Sequence, residues 1–179
     1  MLVKDLKKAT ILFSVPLGVQ WHIFSFLIRF FQFKKTLKPF KFFGLYHSSH
    51  VAIKIDDQVF EAVLWLGVRK IPYGEWLKVN SVKKQVAIWL TDKKFKEGNI
   101  FLEASCGIPY AFVELFGMLW QRILKTFFNK EIFTNPIKTR VNKYKCSELV
   151  YRYFLVTQYV WGLEDPNLVD VCDIEEIIS

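Results

Sequence analysis

The stretch Ser49-His50-Val51-Ala52-Ile53-Lys54-Ile55-Asp56-Asp57-Gln58-Val59-Phe60-Glu61-Ala62-Val63-Leu64-Trp65 decides how the chain is read. Residues 49–55 and 58–65 are β-branched or aromatic runs on either side of the polar pair Asp56-Asp57, the pattern of a β-hairpin. If that pair is a two-residue turn, Glu61 stands opposite Ala52, on the same sheet face as His50 and diagonal to it. Diagonal neighbours lie roughly 7–8 Å apart, within reach of long side chains. A three-residue turn would send Glu61 to the other face, because side chains alternate with a period of two.

Outward from the hairpin, residues 10–14 read as a short buried strand ended by Pro16 and Gly18, and residues 86–91 supply another strand. Trp21, Phe24, Leu27, Ile28 and Phe31 recur at helical spacing, so residues 21–31 are expected to form an amphipathic helix. The basic, aromatic stretch 34–44 contains Pro39 and reads as a loop, a candidate rim of a cleft. Pro109 suits a first helical turn, and residues 110–128 run apolar on most sides, as a core helix does. After the polar connector 129–142, residues 146–158 carry Leu149, Val150, Tyr153, Phe154 and Thr157 at helical spacing, with Gly162 marking the end before an acidic tail. No internal repeat or low-complexity segment is present. The plan is α+β, with a small antiparallel sheet packed against helices.

A chain of 179 residues fits one domain, expected here to span residues 1–179. Hydrophobic residues make up 52%, including 18 Phe and 6 Trp, which excludes a disordered chain. The formal charge of +8 favours anionic partners such as a cell wall or a membrane surface, and serves equally to keep a Phe-rich protein soluble. It shows no zinc-ligand spacing and no nucleic-acid recognition motif, so no metal, cofactor or nucleic acid is expected. Lys4, Lys7 and Lys8 precede an apolar run, but Pro16 interrupts it and no small-x-small cleavage site follows. The absence of a clear signal favours a cytoplasmic setting. Gln20, His22, Arg29 and Gln32 argue against a transmembrane span in the apolar stretch that follows.

Three cysteines, Cys106, Cys146 and Cys172, form no CxxC pair. Cys146 opens a helix, where unpaired amides and the helix dipole stabilise a thiolate, and Lys143 and Lys145 would add positive potential if they point the same way. Cys106 lies in a small-residue loop, and Cys172 lies among carboxylates that would raise a thiol pKa. A thiolate nucleophile needs a base, and the base needs an orienting partner. Of His22, His47 and His50, only His50 opens a strand, the most rigid mounting, and Glu61 is placed to orient it. A cysteine and a histidine far apart in sequence also fit a blander arrangement, a buried thiol and a surface imidazole.

The segments Tyr46-His47-Ser48-Ser49-His50-Val51-Ala52-Ile53, Val59-Phe60-Glu61-Ala62 and Lys145-Cys146-Ser147-Glu148-Leu149-Val150 resemble the permuted, YiiX-like branch of the NlpC-type papain-like cysteine peptidases. In that branch the histidine strand precedes the cysteine helix. Residues 9–14 resemble the family's opening strand, Gly67-Val68-Arg69 followed by Trp76 resembles its strand and loop after the glutamate, and residues 107–117 resemble its Tyr-bearing helix. Two features depart from the family pattern: Ala111 follows Tyr110 where relatives often carry an acidic residue, and Ala9-Thr10 replaces the usual Gly-Asp of the opening strand.

The resemblance implies a circularly permuted papain-like fold and acyl transfer, with Cys146 as nucleophile, His50 as base and Glu61 as its orienter. It also implies a small peptide as substrate, with cell-wall stems as the family's type. Tyr110 is expected to line the cleft, and Tyr46 ranks behind it as a substrate-binding residue. Two further readings stand beside a thiol amidase or peptidase. One keeps the thiol chemistry on a lipid-like substrate, as in acyltransferase relatives of the same fold. The other is a catalytically idle module that binds a partner or membrane.

Overall fold

The computed structural model describes residues 6–17, 48–111, 143–159, 169 and 171–178. The expected helix at 21–31, the expected helix at 110–128 beyond its first two residues, the loop at 34–44 and the connector at 129–142 lie outside these residues.

The described residues form a mixed α+β structure around a five-stranded antiparallel sheet. The strands are β1 (Leu6–Pro16), β2 (His50–Ile55), β3 (Gln58–Val63), β4 (Gly67–Pro72) and β5 (Asn80–Thr91). The helices are α1 (Tyr73–Val79), α2 (Asp92–Ser105), α3 (Cys146–Val156) and α4 (Val171–Ile177). The sheet order is β4-β3-β2-β1-β5. None of the described helices is long and apolar enough to cross a membrane.

The hairpin forms in the two-residue register, the one of the two alternatives that keeps Glu61 on the face of His50. Ile55 pairs with Gln58, Lys54 with Val59 and Ile53 with Phe60, leaving Asp56-Asp57 as a two-residue turn. Asp56 takes φ 50, a left-handed conformation that Asp tolerates and that such turns demand. β3 stops at Val63 rather than at Trp65, because Trp65 adopts φ 71 and breaks the extended backbone. β1 and β5 are longer than expected: they pair along their whole length, with one irregularity at Phe13/Ser14. Cross-strand pairing thus extends elements whose outer residues carry little strand signal.

Alternation divides the sheet between two apolar layers. Ile11, Phe13, Val51, Ile53, Phe60 and Ala62 pack with Leu149, Val150 and Phe154 of α3 in the main core. Leu12, Ala52 and Val59 face the other way and cluster with Trp76 of α1. Where α2 meets α3, a Cβ on Gly98 would come within 2.5 Å of the Tyr153 ring, so this close crossing needs a glycine. The helix from Cys146 ends at Val156, two residues short of the expected end, and Gln158 takes the left-handed φ of 51. Helices α1, α2 and α4 were not expected. α1 occupies the place read as a loop, and α4 lies in the acidic tail.

A segment after α2 crosses toward α3. Val68 N–H donates to Ile108 O and Gly107 N–H to Val68 O, both at 2.8 Å, while Tyr110 and Tyr144 form an isolated parallel bridge. Tyr110 was expected at the start of a helix. It instead lies in this bridge, because its neighbours Pro109 and Ala111 exchange backbone hydrogen bonds with Tyr144, which leaves the chain extended there.

Candidate active site

Cys146 is the first residue of α3. Its N-cap, Lys145, is extended and offers no side-chain cap, so first-turn amides are left for another acceptor. The sulfur accepts hydrogen bonds from the amides of Ser147 and Val51, one from the helix and one from β2. His50 begins β2 and is hydrogen-bonded to the same sulfur. The structure thus brings Cys146, His50 and Glu61 together, and all three are buried, at 7%, 8% and 1% exposure.

The carboxylate of Glu61 is saturated with donors. Oε2 accepts from His50 Nε2 at 2.7 Å and from Trp76 Nε1 at 2.8 Å. Oε1 accepts from Arg69 Nε at 2.9 Å and Nη2 at 2.6 Å. Trp and Arg only donate, so the His50 nitrogen facing Glu61 carries a proton as well. Nε2 being engaged there, Nδ1 is the ring nitrogen left for the thiol. Arg69 stands directly opposite Glu61 in the β3–β4 ladder, which puts its side chain on the same face.

These contacts settle the charges. Burial alone would lower the His50 pKa, but hydrogen bonds to Cys146 and Glu61 and their negative charges outweigh it and raise it to about 10. Burial alone would raise Glu61, and it is overcome by His50, Arg69 and Trp76, which hold the carboxyl at about 2. Burial likewise pushes the Cys146 thiol up, and the hydrogen bond and charge of His50 with the amides of Val51 and Ser147 bring it below its ordinary value. The directions of these shifts favour a thiolate–imidazolium pair backed by a carboxylate–guanidinium pair, four alternating charges that sum to zero. A thiolate held ready against a protonated imidazole is what nucleophilic attack on a carbonyl requires.

Tyr110 lies close enough to Cys146 to feel its charge. Burial first, then the negative charge of Cys146, raises its phenol well above the usual value. Tyr46, the other expected substrate contact, and His47 lie outside the described residues. Lys145 is buried at 2% exposure, whereas Lys143 is half-buried. Cys106 is the C-cap of α2, and burial followed by the charge of Glu103 raises its thiol, as suits a structural cysteine. Among the described residues, no group of three or more His, Cys, Asp or Glu could hold a metal ion.

Three participants had no role assigned from sequence: Arg69, Trp76 and the amide of Val51. Arg69 had a signal, since strand parity carries it to the face of Glu61 once a β3–β4 hairpin is recognised. Trp76 had none, because α1 folds back over the sheet through contacts that no local pattern announces. No family model, no curated protein and no solved structure matches the chain.

Proposed function

We propose that this protein is a thiol-dependent hydrolase acting by acyl transfer on an amide bond of a small peptide, with a circularly permuted papain-like fold of the NlpC type. The observation that carries the proposal is the unbroken hydrogen-bond chain from the Cys146 sulfur through His50 to Glu61. The order of its elements, histidine strand before cysteine helix, agrees with the permuted arrangement.

In the first half-reaction the Cys146 thiolate attacks the carbonyl carbon, forming the S–C bond as the carbonyl π electrons move to oxygen. Amides at the start of α3 stabilise that oxyanion. The imidazolium of His50 gives its Nδ1 proton to the leaving amine as the C–N bond breaks. Water then attacks the thioester while neutral His50 takes its proton, releasing the acid and restoring the ion pair. Glu61 keeps Nε2 protonated and the ring in plane throughout. Tyr110, near enough to feel the charge of Cys146, is the residue proposed to contact the bound acyl group.

One observation favours a lipid-like substrate as the second reading. Trp65 and Leu66 are 77% and 60% exposed on the β3–β4 turn, at the sheet end where β2 begins with His50. An acyl chain would find apolar contact there.

The test is site-resolved alkylation of the cysteines between pH 5 and 9, followed by turnover of dipeptide amides and of fatty-acyl esters. Fast alkylation of Cys146 below neutral pH, slowed by His50→Ala, with amide turnover lost in Cys146→Ala, is the expected outcome. Turnover confined to acyl esters selects the lipid reading. An ordinary Cys146 thiol sinks both and leaves the binding module.

A further inference from the structure

Antiparallel strands joined by a two-residue turn close with a hydrogen-bonded pair, and such pairs recur at every second residue. Ile55 and Gln58 close this turn and Ile53 with Phe60 comes next, so Val51 with Ala62 would be third. That third pair is not formed. The β2–β3 ladder ends at Ile53 and Phe60. Both strands nevertheless continue, to His50 and from Gln58 to Val63, held on their outer sides by β1 and β4. The sheet therefore opens between β2 and β3 at its end nearest Cys146. The Val51 N–H is directed into that opening, a buried donor that must find an acceptor. The Cys146 sulfur, packed in the same core cluster as Val51 at the start of α3, is the acceptor within its reach.

We infer that the backbone amide of Val51 is a catalytic group of this site, a donor freed by the early end of the β2–β3 ladder to bind the Cys146 thiolate. The inference rests on Cys146 being the nucleophile. It adds that the sulfur is held between a strand amide and a helix amide, so its charge depends on sheet geometry as well as on His50. The valine side chain contributes by packing in the main core, where it is fully buried and fixes the direction of its own N–H. A hydrogen bond to the charged form favours that form. It also means that any change closing the β2–β3 gap would take the donor away and leave a weaker nucleophile.

The test replaces Val51 in the full chain with its α-hydroxy analogue, exchanging the amide N–H for an ester oxygen while keeping the side chain. The pH midpoint for iodoacetamide alkylation of Cys146 should move up by about one to two units, the worth of one hydrogen bond to a charged group. The same exchange at Ile53, whose N–H belongs to the ladder, should leave the midpoint in place. An unmoved midpoint in the Val51 ester, with Cys146 still activated in the parent protein, overturns this inference and spares the hydrolase reading. A Cys146 that is ordinary in the parent overturns both. Should the ester fail to fold, the parent protein labelled with 15N-valine decides. The Val51 amide resonance should titrate with the Cys146 midpoint, and a resonance unmoved by pH across that midpoint overturns the inference.

Discussion

Arg69 grips a single oxygen of Glu61 with two donors, Nε at 2.9 Å and Nη2 at 2.6 Å, and leaves the other oxygen to His50 and Trp76. This division makes Glu61 more than an orienter. An ionised carboxylate at 1% exposure needs compensation, and the arginine supplies it from a partly open position, 31% exposed. The cation that keeps Glu61 charged is thus separate from the imidazole that Glu61 orients, so the imidazole can lose its proton to a leaving group without stranding a buried anion.

Arg69→Met keeps most of the apolar stem and removes both donors. Removing one partner of a buried ion pair costs about 3–5 kcal/mol, and the partial exposure of Arg69 brings the expected loss to about 2–3 kcal/mol. Urea denaturation at pH 7 measures it. Arg69→Lys should recover only part, since a single ammonium cannot reproduce both bonds. Equal stability of the three proteins would contradict this account.

Trp76→Phe removes the indole N–H from Glu61 Oε2 while largely filling the same buried volume. The loss of a hydrogen bond to a charged acceptor is expected to cost about 1.5–3 kcal/mol in stability. Because His50 still bonds Oε2, alkylation of Cys146 at pH 6 should slow far less than in His50→Ala. If both variants slow it alike, the indole has a direct role at the sulfur.

The site also sets how stability varies with pH. Glu61 has its folded pKa lowered, from 4.5 to about 2, so its contribution is present in full above about 4.5 and lost as pH falls through about 2. His50 has its folded pKa raised, from 6.5 to about 10, so its contribution is present in full below about 6.5 and lost as pH rises through about 10. Thermal melts of the parent protein and Glu61→Gln should therefore converge as pH falls from 4.5 toward 2. A gap between the two that stays constant across that window would show that Glu61 has no lowered pKa.

Gly67→Ala tests how the Tyr110 segment is mounted. Gly67 takes φ 73, and an added Cβ would lie 2.4 Å from Ile108 O, which is backbone and cannot swing away. The left-handed penalty alone is roughly 1–2 kcal/mol for a residue with a Cβ, and displacement of residues 107–110 adds to it. A melting temperature lowered by several degrees is expected. An unchanged melting temperature would mean that the 107–110 segment is free to shift.

The sequence by itself determined the hairpin and much of the chemistry at its end. Asp56-Asp57 between two β-branched runs marks the hairpin, and in the two-residue register that the structure adopts, period-two alternation carries Glu61 to the face of His50, where the 2.7 Å bond is found. The apolar spacing after Cys146 likewise marks the helix that presents the thiol, because both signals are local and repeat along the chain. Local patterns say nothing about α1 folding Trp76 onto Glu61, or about α2 reaching Tyr153 through Gly98, since these contacts join surfaces distant in sequence. The same limit applies to Lys145, read as adding positive potential near Cys146 and found buried at 2% exposure. Nor does any local pattern show where a strand ladder stops. Only the tertiary structure decided that β2 and β3 part beyond Ile53 and that the start of α3 brings the Cys146 sulfur to the Val51 amide, since both depend on elements distant in sequence.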